Sequence, residues 1–269
     1  MSGEMQTVPL RPAATVMLIR DHLIDGLEVF MLQRTLNAAF ASGMYVFPGG
    51  RVDAVDDEQV LEDLCDGRTD EEASALLGLE RGGLAYWVAA IRESFEEAGV
   101  LLARRSHEQD TLRFDDQESH SRFGKARQGV NDGSLRFIDL CVNEGLRLTT
   151  DSIHYVSHWI TPVGEPRRFD TRFFVAPAPA FQEPLHDDGE TIDSLWVTPT
   201  EALARHREGK LAMIPPTISN LEFLLKHDSV NSTLEAAKKV GVPPSITPRL
   251  RTDKDGRVIG VILPGDPDF

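Results

Sequence analysis

The feature that most limits what this chain can fold into is a helical stretch beginning near residue 84. It ends in Arg92-Glu93-Ser94-Phe95-Glu96-Glu97-Ala98-Gly99-Val100. The apolar spacing predicts a helix over residues 84–102. At about 100° per residue, Leu84, Trp87, Val88, Ile91, Phe95 and Ala98 share one face, which assigns Trp87 and Phe95 to the core. Glu93, Glu96 and Glu97 share the opposite face, at i, i+3 and i+4, about 5–6 Å apart at Cβ. Like charges at that spacing oppose helix formation, and the C-terminal end of a helix dipole disfavours them further. Arg92 offsets part of the cost through Glu96 at i+4. The rest requires solvent or a cation, and clustered carboxylates suit Mg²⁺ or Mn²⁺. Three glutamates alone would read as a solvated acidic face. The letters around them argue otherwise, because six such fixed positions recur by chance about once in 10⁷ starting points.

Around this helix the chain alternates apolar runs and turn signals. Residues 15–20 and 27–32 predict a hairpin whose loop ends in Asp25-Gly26. Residues 45–47 predict a strand that stops at Pro48-Gly49-Gly50, read as a tight turn. Residues 53–82 are acidic and glycine-bounded, with two short helices expected at 57–65 and 70–77. Residues 106–126 are polar and read as irregular or weakly helical, and 135–144 as a helix. Strands are expected at 153–161, 168–176, 191–197 and 257–263, and helices at 199–207 and 216–227. The chain shows no internal repeat or low-complexity tract.

The formal net charge is −15, from 43 acidic and 28 basic residues. That disfavours nucleic acid as a partner, since duplex binding draws on a basic face. It leaves phosphate chemistry open wherever a metal ion carries the positive charge. The two cysteines, Cys65 and Cys141, make neither a disulfide framework nor a zinc knuckle, which points to a reduced, cytoplasmic setting. The sequence shows no signal peptide, no apolar run long enough to span a membrane and no common C-terminal targeting tail.

The run from Arg92 to Val100 resembles the Nudix hydrolase signature G-x5-E-x7-R-E-U-x-E-E-x-G-U, where U is bulky and apolar. Gly50 fits the first glycine, and Arg92, Glu93, Glu96, Glu97, Gly99 and Val100 fit the second half. Asp56 stands where the first glutamate belongs, residues 57–91 stand in place of seven, and Ser94 replaces an apolar residue. Such an insertion resembles the subgroup that includes peroxisomal coenzyme A-cleaving members. Trp159-Ile160-Thr161-Pro162, Arg168-Phe169-Asp170-Thr171, Phe173-Phe174 and Trp196-Val197-Thr198-Pro199 extend the likeness over roughly residues 12–225.

The resemblance implies an α+β fold, a mixed β-sheet sandwiched between helices (α/β/α) with helical insertions. Residues 1–225 would form the Nudix domain, with insertions at 57–83 and 103–150, and residues 226–269 an extension packed on it. It implies Glu96 and Glu97 as metal ligands and Glu93 as a further ligand or the base, with Mg²⁺ or Mn²⁺ bound. Arg92 would orient a glutamate carboxylate. The loop His186-Asp187-Asp188-Gly189-Glu190 would supply a distal acid, Glu190 first, with a solvated acidic loop as the plain alternative. Gly49 and Gly50 would turn beside the metal. Arg34 and Arg168 are the candidate substrate contacts, and Arg167 and Arg168 read equally well as surface charge. Asp53 and Asp56 stand evenly between ligands and loop polar groups. His154 and His158, four apart, would suit a metal only on a helix, and their surroundings read as a strand.

The implied function is metal-dependent hydrolysis of a diphosphate linkage in a nucleoside diphosphate-linked molecule, by water attack on phosphorus. Coenzyme A or an acyl-coenzyme A leads. The segment from Gly43 to Gly50 echoes the coenzyme A-cleaving pattern, although Ala39 stands where that pattern has an arginine. ADP-ribose, dinucleotides and diadenosine polyphosphates stay open. The alternative is a non-catalytic Nudix ligand-binding module, against which the intact glutamate trio argues. A small-molecule substrate, no nucleic acid or membrane, and a homodimer, common in the family, complete the expectation.

Overall fold

The computed structural model describes residues 8–36, 38, 41–53, 58–187, 189–255 and 257–269. Asp56, Ala39 and Asp188 lie outside the described residues. The first half of the chain runs β1 (Leu10–His22), β2 (Gly26–Arg34), β3 (Tyr45–Val46), β4 (Gly49–Arg51), α1 (Glu58–Leu64), α2 (Asp70–Leu77), α3 (Leu84–Ala98), β5 (Ala103–Arg105), α4 (Gln117–Asn131) and α5 (Phe137–Asn143). The second half runs β6 (Leu146–Leu148), β7 (His154–Ile160), β8 (Arg168–Pro177), β9 (Thr191–Val197), α6 (Pro199–Arg207), α7 (Pro215–Leu224), α8 (Val230–Ala237), β10 (Ser245–Ile246), β11 (Arg249–Thr252) and β12 (Val258–Ile262).

β1 organises the molecule. It is apolar on both faces because both are covered, the pattern expected of a central strand. Ala14, Val16 and Leu18 face one core, shared with Trp87, Ile91 and Phe95 of α3. Met17 and Ile19 face the other, shared with Ala202 of α6, Leu221 of α7 and Ala237 of α8. The sheet runs β10-β7-β8-β1-β2-β3, with β4 also paired to β1 and β9 to β2. β1 and β8 are parallel, as are β10 and β7, while the other pairs are antiparallel. The result is the expected mixed sheet between helical layers. Trp87 is fully buried, its ring 4.7 Å from Phe174 and its indole N–H donating to Ile153 O. Burying an aromatic of this size contributes about 2–3 kcal/mol.

Two local expectations give way to packing. Residues 117–131 form a regular helix started by Asp116, whose side chain accepts from Ser119 N. Val230–Ala237 is a further helix, and it and β10, paired with β7, lie against the same sheet, while β11 and β12 pair separately. Gly49 and Gly50 make no left-handed turn. They are extended in β4, where Gly49 faces Thr15 and Gly50 faces Ala14. Glycine is required there by crowding: a Cβ on Gly49 would stand 2.6 Å from Ala14 O, and one on Gly50 2.3 Å from Glu93 Oε1.

Candidate active site

α3 carries the acidic residues and is fixed at both ends. Its start has no cap from its own sequence. Instead Gly82 N and Leu84 N donate to the Asp70 carboxylate, both at 2.8 Å, and Gly83 N donates to Ser74 Oγ at 2.9 Å. Its end is closed by Gly99, which adopts φ 71° and returns its N–H to Phe95 O. Ser94, at the place an apolar residue is usual, donates its hydroxyl to Val100 O at 3.0 Å inside the core. The serine therefore reinforces the helix terminus.

The glutamates do not form a solvated face. β4 packs on that side of α3, leaving Glu93 only 9% and Glu97 5% exposed. Glu97 Oε2 accepts from Gly49 N at 2.9 Å, and its Oε1 lies 3.7 Å from Arg34 Nη1. Arg92 spans the other two, with Nη2 2.8 Å from Glu93 Oε1 and Nη1 2.9 Å from Glu96 Oε1. Its Nη2 also donates to Arg51 O at 2.7 Å and lies 3.7 Å from Asp53 Oδ2. Arg34 reaches the other way, its Nη2 3.6 Å from Glu190 Oε2. The residue types predicted from sequence as Glu93, Glu96, Glu97, Arg92, Arg34, Glu190, Gly49, Gly50 and Asp53 thus meet in one place.

The charges there do not balance. Glu93, Glu96, Glu97, Glu190 and Asp53 face two guanidinium groups. Burial and the repulsion of Glu96 push the Glu93 carboxyl up to about 7, against the pull of Arg92. Burial, then Glu93, raises Glu97 well above the usual carboxylate range, opposed by Gly49 N–H and Arg34. Burial raises Glu96 too, and Glu190 adds repulsion to all three. Burial works against the Arg92 charge, and Glu93 and Glu96 overcome it. Hard oxygen donors held by packing, with surplus negative charge and little water, fit a divalent cation. Glu93, Glu96 and Glu97 are the residues of this turn that would hold one.

Other candidates lie elsewhere. Arg168 pairs in register with Leu10, five residues along β1 from Thr15, which is about 16 Å from the Gly49 position. Its Nε donates to Thr161 O and Pro162 O at 3.1 Å each, so the side chain braces the start of β8. Arg167 is exposed beside it. His154 is in register with Val175 and His158 with Arg172, so the irregularity between them turns the two imidazoles to opposite faces of the sheet. His158 Nε2 lies 2.5 Å from Asp170 Oδ1, which also receives Arg172 Nη1 at 2.7 Å. Among the described residues, donor atoms of His22, Asp25 and Glu28 at the β1–β2 turn all lie within 4.8 Å of one another, which those of Glu93, Glu96 and Glu97 do not. There His22 pairs with Asp25 and Arg20 with Glu28, both at 2.8 Å. Asp70 and Ser74 were not foreseen. Thr69-Asp70-Glu71-Glu72 announces the start of α2, but nothing in the sequence shows Asp70 also capping α3.

A family model described as the NUDT19 Nudix domain matches residues 69–224. Acyl-coenzyme A diphosphatase NUDT19 of Xenopus laevis is 29% identical over 233 residues, 76% of this chain and 61% of that protein. The Homo sapiens protein of the same name is 27% identical over 264 residues, 85% of this chain and 66% of that one. The chain thus spans under two thirds of the length of these curated relatives. A crystal structure of a NUDIX hydrolase from Alicyclobacillus acidocaldarius, 24% identical, superposes with a TM-score of 0.66 over 88% of this chain and 99% of that one.

Proposed function

Because the chain belongs to the NUDT19 Nudix domain family of Nudix hydrolases, we propose that it hydrolyses the diphosphate of coenzyme A or an acyl-coenzyme A with Mg²⁺ or Mn²⁺. The observation that carries this reading is the buried, charge-surplus turn of Glu93, Glu96 and Glu97 against Gly49 and Gly50. The names of the curated relatives support the choice of substrate.

A divalent cation held by Glu93, Glu96 and Glu97 supplies charge neutralisation for the diphosphate and an acidified water. The chain's own residues do the rest. Arg92 fixes Glu93 and Glu96 with one planar fork, which a lysine does not reproduce. Gly49 directs its N–H at Glu97, and the missing Cβ of Gly50 leaves room for Glu93. Arg34, between Glu97 and Glu190, faces the place where a phosphate oxygen would enter. Glu190 takes the proton from the attacking water. Its side chain is 71% exposed and touched only by Arg34 among the ion pairs of the described residues, whereas Glu93 and Glu97 are tied down. The water oxygen forms the new P–O bond, and the bridging oxygen leaves with the other phosphate, giving two phosphomonoesters. Buried free cysteines agree with a cytoplasmic setting, and a homodimer is the oligomer to test by light scattering.

The test is a panel of coenzyme A, acyl-coenzyme A, ADP-ribose, NADH and diadenosine polyphosphates with Mg²⁺, Mn²⁺ or chelator, with products identified by mass spectrometry in ¹⁸O water. Metal-dependent release of two phosphomonoesters, one carrying ¹⁸O, from the coenzyme A compounds is expected. Tight binding without turnover of any compound would establish a ligand-binding module instead.

A further inference from the structure

The last carbonyls of α3, which carry its glutamates, find partners outside the helix. Gly99 N and Val100 N return to Phe95 O and Ser94 O. Glu96 O accepts from Arg127 Nε at 2.9 Å and Asn131 Nδ2 at 3.2 Å, both from α4. Ala98 O accepts from Leu185 N at 3.0 Å, and Arg127 Nη2 donates to Leu185 O, also at 3.0 Å. One guanidinium therefore bridges the glutamate turn and the loop that leads to Glu190.

Asp187 ties that loop to β9. The Asp187 carboxylate accepts from Gly189 N, Glu190 N, Thr191 N and Thr191 Oγ1. Glu190 O then accepts from Thr35 N at 3.0 Å, next to Arg34, whose guanidinium faces both Glu190 and Glu97. The contacts close a ring: the Glu96–Glu97 turn, Arg127, Leu185, Glu190, Arg34, and back to Glu97. α4 is itself seated by Phe123, buried and stacked on Phe114 at 4.7 Å.

We infer that Arg127, in the segment inserted after α3, is a positioning residue that sets the separation between the cation-side glutamates and Glu190. The inference rests on the diphosphatase reading for its kinetic consequence, but not for its effect on the glutamate turn. A cation at this end of α3 also offsets the dipole that opposes Glu93, Glu96 and Glu97.

The experiment compares wild type with Arg127→Ala, Arg127→Lys and Asn131→Ala at a temperature well below every unfolding midpoint. Mn²⁺ affinity is read by electron paramagnetic resonance, and kcat and KM on the substrate found active. Arg127→Ala is expected to lower kcat and weaken Mn²⁺ binding by about 10- to 100-fold, with KM little changed. Arg127→Lys keeps the charge but cannot span both carbonyls, so Tm recovers while kcat stays about tenfold down. Asn131→Ala removes only the second donor to Glu96 O, and its kcat falls by less than about threefold. The inference is overturned if Arg127→Ala keeps kcat and Mn²⁺ affinity within about twofold of wild type, or if Arg127→Lys is fully active. If Arg127→Ala does not fold, Arg127→Lys decides alone. If wild type hydrolyses no diphosphate, the functional reading fails, and Mn²⁺ affinity still decides the role of Arg127.

Discussion

The two ends of α3 are both held from inserted segments, yet they are built for different ends. At the start, one carboxylate, Asp70, receives two backbone N–H groups and the Ser74 hydroxyl, among buried Leu84, Trp87 and Val88. Three donors satisfy the Asp70 carboxylate there, and an acid is where the helix dipole favours one. At the far end three carboxylates crowd one turn, and two arginines leave charge over. On the proposed reading, matched polarity holds the helix in place and unmatched polarity would hold a cation. A single helix thus separates stability from function along its length, and four measurements probe that separation.

The largest effect is expected from Glu97→Gln. On the metal-dependent reading it removes one ligand and should cut turnover by about 10³-fold. The metal-free protein should not lose Tm, because a buried carboxylate with incomplete compensation has gone. A lower metal-free Tm by calorimetry would mean that the charged end also stabilises the fold.

Gly50→Ala tests the middle of the site. Its Cβ would meet the end of the Glu93 side chain and push it off Arg92, so activity should drop about 100-fold, with a smaller fall in Tm than a backbone clash gives. In Gly49→Ala the Cβ meets the Ala14 and Thr15 backbone, which cannot yield, so lost stability should dominate there. Equal thermal shifts in the two variants would contradict the distinction.

Asp70→Ala attacks the matched end. Two N–H groups lose their acceptor, and Tm should fall by about 5 °C. Turnover at low temperature should stay within about threefold of wild type. A loss as large as that of Glu97→Gln would erase the contrast between the two ends.

The smallest effect is the response to pH without metal. Glu93 has its carboxyl raised from the ordinary 4.5 to about 7 in the folded state. The folded form therefore holds a proton the unfolded form has released. Stability from this group is full below about pH 4.5 and is lost as pH rises to about 7. A decline of a few degrees in Tm across that window should appear, and Glu93→Gln should flatten it. Asp170 and Asp187 shift downward against their burial, through hydrogen bonds from His158 and Arg172 in one and Thr191 in the other, and act below that window.

What the sequence revealed divides along the same line. Period and motif placed α3 to within a few residues of Leu84–Ala98 and picked out the glutamates, because helix geometry alone brings positions 93, 96 and 97 together. The hairpin and the strands at 154–160, 168–177 and 191–197 were legible from β-branched and aromatic runs. Burial of the acidic side of α3 was not, since a helical wheel carries no information about β4 folding across it. The need for Gly49 and Gly50 was visible, but its cause, side-chain crowding in an extended strand, was not. Arg127 and Asn131 sit in a polar stretch without periodic signal, where Asp116, the cap that begins α4, is the local mark of a helix. Arg168 was placed in the site by its charge and belongs to a strand end.

Two helices intervene between β4 and α3, so the covalent path from Gly50 to Glu93 no longer dictates how far apart they stand. Surface contact dictates it, through β4 lying on α3 and Asp70 returning to the helix start. The intervening excursion can therefore change in length, wherever it leaves Asp70 and Ser74 seated on the helix start, without altering the dimensions of the site beside it.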